Sequence, residues 1–343
     1  MDAFAIYRLP LAHECTLVSQ RGVPDSLSSL GSLEDACAFV IAPFCPTPSV
    51  PVVVLRPDKL LHCSVDQVAA MDGFPFYLAG STHSSQASSR ETYHDDFCRF
   101  QQLLSTSQVQ KLVLARCADV SRDAATSLIT LFVKACNRYP EAFVTLFSAP
   151  QCGTWLVATP EVLLSRSSER WNTMALAGTM RHGDQLPPWS DKNKREQAYV
   201  SQYISDCLER YSDDVKMSGP YTTRAGILAH LRTDFSFTLP AGVAVGELLA
   251  ALHPTPAVCG LPKHEAYRFI LDNETVERSY YSGFSGPLNL GGDTAMFVSL
   301  RCMRVLEDRY RLYAGGGILP ESLESMEWDE TQAKMQAMLS LID

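Results

Sequence analysis

Near the end of the sequence, Gly315, Gly316 and Gly317 close an apolar run, and Glu330 and Lys334 follow four residues apart. Glycines let a backbone approach a ligand closely and offer its N–H groups to an anion. An i, i+4 spacing sets a carboxylate and an ammonium on one helix face. A carboxylate for a metal, an ammonium for an acid and a bare backbone nest together fit a small anionic ligand. Other residues carry chemistry singly. Lys111 lies in an apolar strand, where its charge either snorkels to water or is suppressed by desolvation so that the amine acts as a general base. Glu161 follows Thr159-Pro160 and precedes another apolar strand, the position of an exposed residue at a strand start. Glu196 and Glu330 each open a helix, where a carboxylate complements the dipole, and Glu327 reads the same way. Arg301, at a strand end, offers a planar fork for a carboxylate or for a structural ion pair. His253 opens Pro-Thr-Pro-Ala, and a lone histidine of this kind is usually a satisfied structural residue.

The elements that must hold these residues can be read from periodicity and turn chemistry. Short strands are expected at Phe39–Ala42, Val50–Leu55, Lys111–Ala115, Ala142–Phe147, Thr154–Ala158, Val162–Arg166, Trp171–Ala177, Thr294–Arg301 and Tyr310–Ala314. Helical spacing marks Tyr93–Ser105, Ser127–Arg138, Asp191–Tyr211, Val243–Ala251, Glu265–Asp272 and Asp329–Ile342. Ser81–Ser89 is polar and turn-rich, an exposed loop. Strands in runs with segregated helices favour antiparallel pairing and an α+β class. No low-complexity linker or short-period repeat divides the 343 residues.

Composition narrows the partners. A formal charge of −9 without a Lys/Arg stripe speaks against nucleic acid, and gives an acidic ligand no overall steering. Its site therefore needs local positive charge. Eleven cysteines, with no C-x-x-C pair, read as reduced thiols. Neither a secretory signal nor a membrane-length apolar run is visible, so a cytoplasmic protein with no membrane partner is expected.

Six segments occur in one order: Lys111-Leu-Val-Leu-Ala-Arg116, Ala158-Thr-Pro-Glu161, Leu176-Ala-Gly-Thr179, His253-Pro-Thr-Pro-Ala-Val-Cys-Gly260, Glu277-Arg278 with Tyr281-Ser-Gly and Gly286-Pro287, and Ala314 through Lys334. Together they resemble the chorismate-utilising enzymes, and within them the isochorismate synthases, from about Val109 onward. The resemblance implies two stacked, mostly antiparallel sheets with helices packed outside. Residues 1–343 would form one catalytic domain in which 1–108 match weakly. It implies Lys111 as the base that activates water for attack at C2 of chorismate. Glu161 would be the acid that protonates the departing C4 hydroxyl, a role that needs a raised pKa. Glu196 and Glu330 would hold Mg²⁺, with Glu327 in water-mediated contact. Gly178, Thr179, His253, Arg301, Gly315, Gly316, Gly317 and Lys334 would bind substrate.

Two positions discriminate within the family. Anthranilate synthases carry glutamine where this chain has Lys111, so water is favoured over ammonia and no glutaminase partner is expected. Aminodeoxychorismate synthases carry a nucleophilic lysine where this chain has Ala177, so no covalent adduct is expected. The glycine block reads Ala-Gly-Gly-Gly-Ile where relatives often have Ala-Gly-Ala-Gly-Ile, and the stretch between Thr179 and Lys192 is short. The implied activity is isochorismate synthesis for a menaquinone or siderophore pathway. Salicylate synthase, which goes on to expel pyruvate, and a non-catalytic chorismate sensor are the alternatives.

Overall fold

The structure, a computed structural model, describes residues 2–33, 36–80, 86–181, 187–226 and 228–342. The expected loop at Ser81–Ser89 and the shortened stretch after Thr179 lie partly outside the described residues, over 81–85 and 182–186. Six strands open the chain: β1 (Ala3–Arg8), β2 (Glu14–Gln20), β3 (Asp25–Leu27), β4 (Ala38–Ala42), β5 (Val52–Leu55) and β6 (Lys59–Ser64). Helices α1 (Val65–Ala69) and α2 (Arg90–Ser105) lead to β7 (Lys111–Ser121), α3 (Leu128–Arg138), β8 (Phe143–Ala149), β9 (Gly153–Thr159), β10 (Val162–Ser167) and β11 (Arg170–Arg181). Then come α4 (Asp191–Leu208), β12 (Lys216–Ala225), β13 (Leu228–Phe237), α5 (Val245–Leu252), β14 (Gly260–Leu261) and α6 (Lys263–Asn273). The chain closes with β15 (Phe284–Leu288), β16 (Thr294–Val298), β17 (Cys302–Val305), β18 (Arg309–Ile318) and α7 (Glu324–Ile342).

The strands form two nine-stranded sheets, ordered β14-β7-β18-β17-β9-β8-β1-β2-β6 and β12-β13-β11-β10-β16-β15-β4-β5-β3. Side-chain alternation decides how they stack. Phe143 and Phe147 of β8 join Phe39 and Ile41 of β4 and Phe297 of β16 in one buried cluster, which lies between the sheets. The Phe143 and Phe297 rings stack there at 4.2 Å between centroids. The intervening Val144 and Leu146 point the other way, onto Leu131 and Phe132 of α3 and Met335 and Met338 of α7. On the far side of the second sheet, Ala175 and Ala177 pack against Val200 and Ile204 of α4 and Leu248 of α5. Strands covered on both faces read as continuous apolar runs, as β4 and β5 do. Among the described residues no helix is long and apolar enough to cross a membrane.

Three expected boundaries near the candidate site residues shift. The strand expected through Arg301 ends at Val298, because the chain there leaves the second sheet and enters the first at Cys302. Arg301 sits in that crossing with φ +47°, a left-handed conformation uncommon for a non-glycine residue. The final helix begins at Glu324 rather than Asp329, whereas α4 begins at Asp191 as expected, capped by the Ser190 side chain. Glu330 and Glu196 therefore lie beyond the first turn, where helix-end partial charges are no longer their main company. Most consequentially, the last strand runs on to Ile318, so all three glycines are strand residues.

Candidate active site

Strands β7 and β18 pair without interruption from Arg309↔Ser121 to Ile318↔Leu112, with Gly315 opposite Ala115 and Gly317 opposite Val113. Val113 donates its N–H to the Cys259 carbonyl and Ala115 its own to Glu274 Oε1, so both turn away from β18. In an antiparallel ladder the residues opposite them turn outward as well. Gly315 and Gly317 thus direct their peptide groups away from β7, and the Gly315 carbonyl accepts a 2.8 Å bond from Lys334 Nζ. An extended strand is not a nest of converging N–H groups. The glycines serve close approach instead. A Cβ at Gly317 would overlap Glu196 Oε1 and lie 3.1 Å from Lys111 Cε, and one at Gly315 would lie 2.9 Å from the Tyr281 hydroxyl.

Residues from both sheets enclose a cavity of about 70 Å³. Glu161, Gly178, Thr179, Glu196, Arg301, Gly315, Gly317 and Lys334 all line it. Glu161 reaches it from the turn before β10 and is 3% exposed. Burial pushes its carboxyl up to about 7, against the pull of Lys111, Arg301 and Lys334. Gly178 lies where the β11–β13 register shifts, with φ +71° and Asn193 packed so closely that a Cβ would meet its carbonyl oxygen at 3.0 Å. That bulge turns Thr179 toward His230, whose Nδ1–H donates to the Gly178 carbonyl at 3.2 Å. His230 Nε2 then accepts from Arg301 at 2.6 Å. Burial, with Arg301 and Lys334 nearby, holds the imidazole well below its usual pKa, so it is neutral. Burial also lowers the Arg301 guanidinium to about 10.

Three further carboxylates each meet a lysine, and of these Glu196 lines the cavity. Lys111, fully buried, stands 3.0 Å from Glu196; Lys192 is 2.6 Å from Glu327, and Lys334 is 2.7 Å from Glu330. Burial opposes ionisation of Glu196, but Lys111 and Lys192 outweigh it and hold the carboxyl below its usual range. Burial wins at Glu327, whose pKa rises. Among the described residues no three metal-ligating side chains converge tightly enough to cage a cation by themselves. Mg²⁺ needs no such cage, because it takes one or two carboxylates with waters and a ligand's oxygens. Glu196 and Glu330 supply such oxygens, and Glu327 Oε2 is buried without a hydrogen bond in the structure. The donor set fits.

Residues 75–343 match the sequence profile of the chorismate binding enzymes. The chain belongs to this family. It is 31% identical over 261 residues to the isochorismate synthase EntC of Escherichia coli. That alignment covers 73% of this chain and 66% of the relative, just under two thirds of its length. Two solved structures share the fold. DhbC from Bacillus anthracis superposes with a TM-score of 0.83 at 24% identity, over 99% of this chain and 96% of that one. MenF, the menaquinone-specific isochorismate synthase of E. coli, gives 0.80 at 21% identity, over 99% and 89%.

In this chorismate binding enzyme two expected substrate contacts do not reach the cavity. Gly316 faces the opposite side of β18, where a Cβ would stand 3.0 Å from Glu327 Oε2. His253 is buried against Phe284 and bonds the Pro43 carbonyl at 3.2 Å through Nε2; burial and Lys263 push its pKa down to about 3. It is a buried, neutral histidine outside the cavity lining. Conversely, His230, Tyr281 and Lys192 belong to the site and carried no expectation of a role. Tyr281 stood within a quoted motif. Lys192 precedes Glu196 by four residues, a helical spacing that offered a signal. His230 sits in an alternating strand, and nothing local distinguishes it.

Proposed function

We propose that this chain is a Mg²⁺-dependent isochorismate synthase, which adds water at C2 of chorismate while the C4 hydroxyl departs. The observation that carries the reading is the buried Glu161 carboxyl with a pKa near 7, presented from the second sheet, while the buried Lys111 comes from the first. An acid and a base carried by separate elements suit a reaction whose two proton transfers occur at different ring carbons. Lys111 takes a proton from the attacking water, and Glu196 at 3.0 Å stabilises the ammonium that results. Glu161 gives its proton to the leaving hydroxyl, which would otherwise depart as hydroxide. The same number of water molecules is taken up and released, so the reaction is an isomerisation.

Arg301, fixed by neutral His230, offers a bidentate fork to one substrate carboxylate. Glu196 and Glu330, with Glu327 beside them, would hold Mg²⁺, which when bound supplies positive charge for the ring carboxylate. Ala177 leaves no amine for a covalent adduct, and its N–H is used by Gln197 at 2.9 Å. The likeness to EntC supports the same activity.

The test is to incubate the protein with chorismate and Mg²⁺, with and without EDTA, and identify products by NMR. Isochorismate in a mixture with chorismate, lost with EDTA, is the expected result. Salicylate with equal pyruvate would make the enzyme a salicylate synthase, and an aminobenzoate formed from ammonia would overturn Lys111 as a discriminator. Lys111→Ala should abolish turnover while chorismate still binds; binding without product in the unaltered protein would mean a sensor.

A further inference from the structure

The inner cavity measures about 70 Å³. Next to it lies a chamber of about 760 Å³. Pro160, Arg301 and Lys334 line both spaces, so the two are adjacent and share a wall. Its walls are the end of α3, the β12–β13 hairpin and the outer turns of α7.

The charge of this chamber is opposite to that of the chain. Arg138, Arg224, Arg232, Arg301 and Lys334 line it, against one carboxylate, Glu141, in a chain of formal charge −9. Arg232 is engaged by Asp234 at 2.7 Å, and Lys334 by Glu330. Arg138 and Arg224 are exposed and meet no carboxylate within 4 Å among the described residues. They stand on different elements of its lining, one in the last turn of α3 and one on the hairpin.

Resting on the reading of the substrate as chorismate, we infer that this chamber is an encounter site for the dianion, in which Arg138 and Arg224 capture its two carboxylates before it passes Arg301 and Lys334 into the cavity. A cleft of one sign focuses the field of its charges and raises the local concentration of a counter-ion. It works against the repulsion that the rest of the acidic chain exerts on a dianion. Neither arginine touches the reacting atoms, so the step they serve is association.

The experiment compares the unaltered enzyme with the Arg138→Ala/Arg224→Ala double variant and with Lys59→Ala, which removes one charge from an exposed position in β6. KM and kcat for chorismate are measured across ionic strength. At low salt the double variant should show a KM raised by about 5- to 10-fold with kcat little changed, a size typical of lost steering. The difference should fade near 0.5 M salt, where screening has shortened the reach of exposed charges to about 4 Å. Lys59→Ala should follow the unaltered enzyme. Equal KM and equal salt dependence in the double variant would overturn the encounter site, as would the same loss from Lys59→Ala. If the unaltered protein turns over no chorismate, the proposed activity fails instead, and a chorismate binding titration across the same salts decides the role of the two arginines.

Discussion

Glu161 shows how one side chain acquires a function from its surroundings. A glutamate beside three cations would ordinarily be an anion, yet burial outweighs Lys111, Arg301 and Lys334 and leaves the carboxyl near pKa 7. The acid form is the useful one, so activity should be present below that pH and fall as pH rises through about 7, when Glu161 loses the proton it must donate. The measurement is kcat against pH in Mg²⁺ at saturating chorismate. A plateau extending past pH 9 would assign the proton to another group. Glu161→Gln keeps shape and hydrogen bonding but cannot donate this proton. It should lower kcat by about 10²- to 10⁴-fold, the usual worth of general acid catalysis, and leave no limb near pH 7. Thr159-Pro160-Glu161 alone gave no hint of the burial that creates this pKa, because the covering residues come from elsewhere in the chain.

At the scale of the element, β18 explains why three glycines follow an apolar run. Side-chain periodicity falls silent at glycine, so the strand looked finished at Ala314, whereas its backbone goes on pairing with β7 to Ile318. The hidden signal was the partner strand, Lys111–Ser121, which is one residue longer than β18. The core strands from β7 to β11 were legible because each keeps its own apolar run between turn residues. His230 was not legible, since its role rests on contacts with Gly178 and Arg301, 52 and 71 residues away in sequence. Gly317→Ala tests the account of β18. A Cβ there overlaps Glu196 and crowds Lys111, both rigidly buried, so overpacking should cost about 1–3 kcal/mol. Turnover should fall more sharply, because the proposed base and the proposed metal ligand are displaced together. Gly292→Ala makes a useful contrast. Its added Cβ would meet nothing within 4 Å, so its cost is that of φ +93° alone and should spare turnover. Thermal unfolding and kcat for the two variants separate the effects. Normal activity in Gly317→Ala would show that the strand has room the packing denies.

For the whole molecule, the question is whether the first third of the chain, where the family resemblance is weak, is an accessory or a structural necessity. The strands answer through their partners. β1 pairs with β8 and β4 pairs with β15, so each sheet continues from N-terminal strands directly into those nearer the site. Deleting residues 1–64 removes β1 to β6, strips three strands from each sheet, and leaves β8 and β15 as raw edges. Phe143, Phe147 and Phe297 in the inter-sheet core lose the cover of Tyr7, Phe39, Ile41 and Val53. Phe284 and Leu288 lose the neighbours that β4 supplied. Each large apolar side chain is worth about 1.5–3 kcal/mol when fully buried, and a whole domain is stable by only about 5–15 kcal/mol. Partial exposure of these five residues alone consumes that margin, and unpaired edges add a route to aggregation. The 65–343 fragment should therefore show no cooperative thermal transition and should associate through its open edges, as read by near-UV circular dichroism and light scattering. A monomeric fragment with a sharp transition and chorismate turnover would show that the N-terminal strands only extend sheets whose stability is already complete at β8 and β15.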